Sequence, residues 1–140
     1  MEMKELTDIL HAEGCSCVIC KDGKISLFRQ RGVKDLLHLL KSTPDELHGA
    51  VIADKVVGKG AAALMILGGV VSVYADVISR PALELLNSTG IPVSYGVVVP
   101  NIINRAGTGI CPVETLCMEC NSAAECLPLI ENFINKQNNN

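Results

Sequence analysis

Aromatic residues are scarce in this chain, and it has no excess of basic residues. Phe, Trp and Tyr make up 3% of the 140 residues, and Trp is absent, which nearly excludes the base-stacking surfaces of single-strand-binding proteins. Lys and Arg number 12 against 15 Asp and Glu, giving a net charge of -3. This balance offers no electrostatic basis for binding a nucleic acid polymer or an anionic membrane.

Long apolar segments are also missing. The start of the chain, residues 1–6, is charged and lacks the apolar stretch of a secretory signal. The apolar uncharged run at residues 60–75 is shorter than the roughly 20 residues of a membrane span and contains Gly68 and Gly69. Without an export signal, the seven cysteines are expected to be reduced thiols, so we predict a cytoplasmic protein that does not enter a membrane.

The first third of the chain combines helical and strand patterns. Residues 4–13 have helical spacing and end before Gly14, which predicts an N-terminal helix within residues 1–14. Residues 15–19 and 25–28 are typical of two strands, and the Asp22-Gly23 pair between them predicts a hairpin. Leucine-rich residues 36–47 then predict one or two helices, broken near Pro44.

A weak internal repeat follows. Residues 51–54 and 73–76 are short apolar runs that end in Asp, and each is followed by a helical stretch that closes at glycine. This order is typical of parallel strand-helix-strand units, and residues 93–99 supply a further strand. Two helices follow a Gly-rich loop, the second over 122–136, and residues 135–140 are expected to fray. We therefore predict one α/β domain over 1–140, a three-layer mixed sheet with helices on both faces.

The first candidate site follows the strand at 51–54. We expect Asp54 and Asp76 at the carboxyl ends of parallel strands, where ligands collect. Lys55 would lie in the first turn of the next helix, where a cation loses about 0.3–1 kcal/mol against the helix dipole, and Lys59 would share its face. This placement favours an anionic ligand. The alternative is a pair of surface lysines with Asp54 as the helix N-cap.

The second candidate site is the Gly-rich segment 104–114. Pro112 suits the first helical position, which makes Cys111 the N-cap and Glu114 the third helical residue. A thiol at a helix N-terminus has a stabilised thiolate, and Gly107 and Gly109 would let backbone amides turn toward a ligand. The alternative is that Cys111 is a small apolar filler in an ordinary loop.

Cysteine and histidine patterns suggest a third possibility. Cys117 and Cys120 form a CxxC motif, and a thiol-based metal or cluster site is conceivable, although buried structural thiols fit the predicted helix better. His11-Ala12-Glu13 spells the ligand and proton-shuttle triplet of zinc deaminases, but it closes a helix and precedes no suitable cysteine pair. We therefore assign no metal ligands and no cofactor.

Three segments together resemble one uncharacterised family. They are residues 49–59, residues 73–79, and Asn104-Arg105 with residues 107–114. The chain is similar over about residues 15–134 to the domain-of-unknown-function family eighteen-ninety-three, small prokaryotic proteins assigned a cytidine-deaminase-like fold. The resemblance implies that architecture and a pocket at the deaminase site.

The zinc ligands of deaminases are missing from the corresponding positions. The resemblance places the helix near Asp54 and Lys55 where deaminases carry His- or Cys-Ala-Glu, and Ser79-Arg80-Pro81 where they carry Pro-Cys-x-x-Cys. Without three ligands a catalytic zinc cannot be held. The resemblance therefore implies the fold and the pocket location, but not zinc-dependent deamination.

The resulting hypothesis is a pocket for a small polar or nucleotide-like ligand, built from Asp54, Lys55, Ser79 and Cys111. If the protein is an enzyme, Cys111 is the candidate nucleophile, Lys55 the acid, base or anion clamp, and Asp54 orients Lys55. The alternatives are a non-catalytic metabolite-binding or sensing module and a thiol-metal protein. Fold analogy also predicts a homo-oligomer, a dimer in the simplest case. The remaining candidate ligand contacts are Lys59, Asp76, Ser79, Arg80, Arg105, Gly107, Thr108, Gly109 and Glu114.

Overall fold

A hairpin and three parallel strands form a five-stranded mixed sheet. The computed structural model describes residues 2–30 and 32–138. The strands are β1 (Cys17–Lys21), β2 (Lys24–Phe28), β3 (Val51–Val57), β4 (Ser72–Ser79) and β5 (Val93–Val99). Their order is β2-β1-β3-β4-β5, with β1 antiparallel to both neighbours and β3, β4 and β5 parallel. The α/β class, the mixed sheet and the parallel units are confirmed.

The hairpin forms where it was predicted, but its first strand begins later. Asp22 and Gly23 both have positive φ, of 50° and 82°, as a two-residue turn of this type requires. β1 begins at Cys17 rather than at Cys15. The two thiols consequently belong to different core clusters, Cys15 on one face of the sheet and Cys17 on the other.

Helices lie on both faces of the sheet, but unequally. They are α1 (Met3–Glu13), α2 (Lys34–Ser42), α3 (Lys59–Gly68), α4 (Arg80–Ser88), α5 (Pro112–Cys117) and α6 (Ala123–Asn138), with a short 3-10 turn at Pro44–Glu46. Helices α2 to α6 share one core cluster with alternate residues of the strands, and we call this side the helix-rich face. Among the helices of the described residues, α1 alone packs on the opposite side, the α1 face, through a cluster of Leu6, Leu10, Cys15, Val18, Cys20 and Ala53.

Several predicted helix boundaries are confirmed. α1 ends at Gly14, which adopts the left-handed conformation (φ 62°). Ser79 is the N-cap of α4 and accepts a hydrogen bond from the Ala82 amide at 3.2 Å. Cys111 is the N-cap of α5, with Pro112 following it. The last helix extends to Asn138, so the predicted fraying is wrong for residues 135–138, and residues 139–140 lie outside the described residues.

The boundary between β3 and α3 differs from the prediction. β3 continues to Val57, and α3 begins at Lys59 with Gly58 as its N-cap. The predictions that Asp54 caps this helix and that Lys55 lies in its first turn are therefore wrong. Val56 and Val57 are β-branched residues that favour extended backbone, and the complete burial of Val57 stabilises the longer strand.

None of the helices in the described part of the chain combines the length and apolar character of a membrane span. All seven cysteines are free thiols. The apolar uncharged run at residues 60–75 lies instead within the domain. Its first half forms α3, which packs between α4 and α6, and its second half forms the start of β4.

Candidate functional site

The predicted site residues fall into separate groups rather than one pocket. Lys59, Ser79 and Glu114 meet inside the helix-rich face. Lys55 and Asp76 lie on the α1 face. Asp54 lies within β3 beside Cys17 of β1. The remaining candidates lie on the exposed loop 104–110, at the start of α5, and around the start of α4.

Glu114 joins three segments at the carboxyl edge of the sheet. Its side chain is 1% exposed. Oε1 accepts hydrogen bonds from the Lys59 amide at 2.7 Å and from the Ser79 hydroxyl at 2.9 Å, and Oε2 accepts from the Ile102 amide. A carboxylate at the first amide of α3 also interacts favourably with the helix dipole. Glu114 therefore supports the positions of α3, β4 and the segment after β5.

The Lys59 ammonium group is likewise engaged within the protein. Lys59 is 8% exposed, and its Nζ donates to the carbonyl oxygens of Met118 at 3.2 Å and Cys120 at 2.6 Å. These carbonyls follow the last turn of α5, where a cation is stabilising. No buried side-chain nitrogen or oxygen among the described residues lacks a hydrogen-bond partner. Lys59 and Glu114 are thus structural groups here, and neither is free to hold a ligand.

The small residues at the start of α3 admit another helix rather than a ligand. A Cβ atom on Gly60 would collide with the Val113 side chain of α5. Val113 itself is buried in the core of the helix-rich face. α5 therefore occupies the space that the missing side chain of Gly60 leaves.

Asp54 and Lys55 point in opposite directions because they are consecutive residues of a strand. Asp54 lies beside Cys17 of β1, with which it hydrogen-bonds, and accepts from the Val56 amide at 3.2 Å. Burial raises the pKa of Asp54 to about 7, from its usual 3.8, and also raises the pKa of the Cys17 thiol. Lys55 Nζ donates to the Gly14 carbonyl at 3.4 Å on the α1 face. Asp54 therefore does not orient Lys55.

Cys111 lies away from Lys55. It is partly buried and packs against the core of the helix-rich face, whereas Lys55 reaches the end of α1 on the other side of the sheet. The Cys111 side chain makes no capping hydrogen bond. The structure thus does not bring together the Asp54, Lys55 and Cys111 side chains as one catalytic set.

The Gly-rich loop is a small exposed hairpin held by its own side chains. Ile103 and Ile110 form an isolated antiparallel bridge. The Asn104 side chain accepts from the Thr108 amide at 3.0 Å, and Gly107 adopts a positive φ of 72°. Arg105, Gly107 and Thr108 are exposed and Gly109 is half-buried. The loop gives no enclosed cradle around Cys111.

An open groove of about 430 Å³ lies at the carboxyl ends of the parallel strands, where the sequence argument placed the ligand. Two charged side chains of α4, Arg80 and Glu84, line it, together with Asn101. Within the described residues, none of the three makes a side-chain hydrogen bond or an ion pair with another residue. The rest of the lining is mainly apolar and consists of Pro81, Val98, Val99, Pro100 and Met118.

Sequence reasoning missed a polar cluster on the α1 face. His11 Nε2 and the Tyr74 hydroxyl both lie within hydrogen-bond distance of Asp76 Oδ1, at 2.8 and 2.7 Å. The hydrogen bond with Asp76 raises the pKa of Tyr74. The two-residue spacing of Tyr74 and Asp76 along one strand could have predicted their shared face. His11 lies 65 positions from Asp76, and no local pattern connects them.

The thiols of Cys117, Cys120 and Cys126 lie together at the junction of α5 and α6. Cys117 ends α5 and Cys120 lies in the connection, so the prediction that the CxxC motif sits within a helix is wrong. A hydrogen bond with Cys126 lowers the pKa of Cys117, and burial raises that of Cys120 to about 11. In the part of the chain that the structure describes, no three His, Cys, Asp or Glu side chains are arranged to hold a metal ion.

Comparisons with known proteins agree with the sequence resemblance. A family model described as Domain of unknown function (DUF1893) matches residues 5–134. The crystal structure of a DUF1893 family protein from Thermotoga maritima is similar, with a TM-score of 0.85 and 27% sequence identity, over 94% of this chain and 91% of that chain. No curated protein matches the chain. The family match covers all five strands and most of every helix, and the chain belongs to the DUF1893 family.

Proposed function

We propose that this protein is a small-molecule binding module whose ligand occupies the groove at the carboxyl ends of β4 and β5. One observation carries the proposal. Arg80, Glu84 and Asn101 line a single groove without a partner among the described residues, at the edge where open α/β sheets bind their ligands. Polar groups that converge on an otherwise apolar concavity are typical of ligand sites.

The lining indicates the chemical class of the ligand. A guanidinium group at Arg80 suits a carboxylate or phosphate, and the Glu84 carboxylate suits an amine or hydroxyl group. The Asn101 amide can both donate and accept. Pro81, Val98 and Met118 supply apolar contact. The ligand we infer is small and polar, carries one acidic group beside a hydrogen-bond donor, and can have a nucleotide-like or amino-acid-like apolar part.

A binding role is favoured over the enzymatic alternative. Lys59, Ser79 and Glu114 hydrogen-bond within the protein, and Lys55 lies away from Cys111. A nucleophile needs a base within hydrogen-bond reach, and Cys111 has no such partner in the described structure. Catalysis by Cys111, Lys55 and Asp54 stays a prediction from sequence that the observed geometry does not support.

We also propose a fold family and a cellular location for this protein. A helix, a hairpin, a second helix and parallel strands each followed by a helix support a cytidine-deaminase-like fold whose former zinc pocket no longer performs deamination. Seven free thiols fit a reducing compartment, so we place the protein in the cytoplasm. The dimer predicted by fold analogy belongs to the same proposal.

Thermal-shift screening followed by calorimetry tests the binding site. The panel contains nucleotides, nucleosides and amino acids at millimolar concentration, because a ligand that binds only the folded state raises its stability. We expect saturable stabilisation by at least one acidic compound, and we expect Arg80→Ala to weaken binding at least about tenfold, the loss typical of one charged hydrogen-bonding partner.

Two variants serve as controls for the position of the site. Arg105→Ala removes an exposed arginine of the Gly-rich loop and is expected to leave affinity unchanged, as is Cys111→Ala. Equal binding by Arg80→Ala and the parent protein would contradict the proposal. Loss of binding in Cys111→Ala would instead transfer the site to the loop that sequence reasoning favoured.

A further inference from the structure

Part of the α1 face has no helix over it. α1 packs chiefly on β1 and β3, and the buried residues of its cluster come from α1, β1, β3 and the segment before β1. β4 and β5 contribute no buried residue to that cluster. We call the part of the α1 face formed by β4, β5 and the carboxyl end of β3 the open face.

Three valines form a continuous apolar row across the open face. Val56 pairs in register with Val77, and Val77 pairs with Val97. The residues that follow them, Val57, Ile78 and Val98, pack into the core of the helix-rich face. Since successive strand residues point to opposite faces, the valine row of Val56, Val77 and Val97 points to the open face.

The valine row is exposed to solvent. Val56 is 42% and Val97 is 48% exposed, and Val77 is half-buried. β5 is also an edge strand, and its seven residues include no charge and no proline. Monomeric proteins normally protect such an edge with charged residues or with another element. A contiguous apolar surface of this kind is typical of an interaction site.

Charges beside the valine row indicate what covers it. The alternation of β4 is interrupted here: Ala75 and Ile78 both pack into the core of the helix-rich face, so Asp76 and Val77 between them both face away from it. Lys55 and Asp76, which precede Val56 and Val77, lie on the α1 face. The two side chains do not form an ion pair with each other in the described structure. A surface that carries an apolar row with a cation and an anion side by side is complementary in charge to a second copy of itself, because a two-fold axis places unlike charges opposite each other.

We propose that two copies of this chain associate through their open faces across a two-fold axis, with the valine rows in contact. Lys55 of each copy then lies opposite Asp76 of the other copy. The proposal is independent of the ligand groove, which lies around α4 and the end of β5. It specifies which surface forms the interface of the dimer that fold analogy predicts.

The mass of the protein in solution tests the proposal directly. At protein concentrations from about 1 to about 200 µM, we expect light scattering and analytical sedimentation to give the mass of a dimer. The two-fold axis that sets Lys55 opposite Asp76 also sets Val56 opposite Val77, because these residues belong to the same two strands. Val77→Asp therefore places a carboxylate in the centre of the interface, where a charge without a partner is strongly unfavourable. We expect its dimer to dissociate at least about a hundredfold more readily, and the same for Val56→Asp.

Val71→Asp is the matched control. Val71 is 51% exposed but lies before β4, outside the valine row, so this variant is expected to remain a dimer. Circular dichroism establishes that each variant is folded. A monomeric parent protein throughout the range overturns the proposal, and so does a Val77→Asp variant that dimerises as tightly as the parent.

A charge exchange distinguishes this interface from any other. Lys55→Asp and Asp76→Lys should each dissociate the dimer, because each variant carries two like charges on its open face. Mixing the two variants should restore a heterodimer in which every cation faces an anion. Failure of both single variants to weaken the dimer contradicts the proposed arrangement. Arg80→Ala is expected to change ligand binding and leave the mass unchanged, so the two proposals can fail separately.

Discussion

The two faces of the sheet differ in how completely their side chains are buried and hydrogen-bonded. On the helix-rich face, five helices bury a continuous core, and Glu114 and Lys59 are held by at least two hydrogen bonds each. On the α1 face, one helix covers two strands, and His11 and Asp76 meet at the surface with more than a quarter of each side chain exposed. The difference teaches that polar groups of one protein contribute to stability according to burial, since water competes for the exposed ones.

The largest expected effect is at Glu114. Glu114→Ala leaves the Lys59 amide, the Ile102 amide and the Ser79 hydroxyl without their buried acceptor, and we expect the free energy of unfolding to fall by about 3–5 kcal/mol. Glu114→Gln keeps one acceptor oxygen and should lose about half as much. Urea titration measures both changes, with Glu119→Ala, an exposed carboxylate, as the control. If Glu114→Ala lowers the free energy of unfolding by less than about 1 kcal/mol, the polar groups of the helix-rich face are no more stabilising than those of the α1 face.

The second effect depends on pH and concerns Asp54. Its pKa of about 7 in the folded protein exceeds its usual 3.8, so the folded state keeps a proton that the unfolded chain releases. The free energy of unfolding should therefore fall as pH rises from about 4 to about 7, by an amount on the order of a few kcal/mol. Asp54→Asn should abolish this component, whereas Asp45→Asn, at an exposed position, should retain it. If the free energy of unfolding varies with pH in the same way in Asp54→Asn and in the parent, Asp54 is not the group responsible for the pH dependence.

The smallest effect is expected on the α1 face. His11→Ala removes one of two partners of the half-buried Asp76 carboxylate, and pairs near the surface contribute at most about 1 kcal/mol to stability. His38→Ala, which removes another exposed helical histidine, should have no measurable effect. Chemical denaturation compares the two variants at neutral pH. A loss above about 2 kcal/mol at His11 would show that this face is held as firmly as the other.

Local signals in the sequence predicted much of the fold. Asp22-Gly23 fixes the hairpin, Ser79 caps α4, and Pro112 marks the start of α5, because each of these residues acts through its own backbone or its near neighbours. The sequence pattern predicts the end of β3 at Asp54, whereas the strand continues to Val57. A polar residue at that position was interpreted as the start of a helix, although the two valines that follow favour a strand.

The site could not be predicted in the same way, because it depends on which face each side chain occupies. Lys55 and Cys111 belong to opposite faces, and a shift of one residue in the strand would have reversed the position of Lys55. Glu114 was expected at the third position of α5 and lies there. Its three partners come from α3, β4 and the segment after β5, and no spacing in the sequence encodes that meeting.

The hydrogen bonds of Glu114 also affect the groove in which we propose that a ligand binds. The wall formed by Val99, Pro100 and Asn101 continues directly into Ile102, whose amide is fastened to the same carboxylate as the first turn of α3. An outward movement of this wall would break the hydrogen bond between the Ile102 amide and the Glu114 carboxylate, so this bond opposes such a movement. The proposed ligand would then meet a preformed rim, and its selection would depend on size and charge rather than on closure of the protein around it.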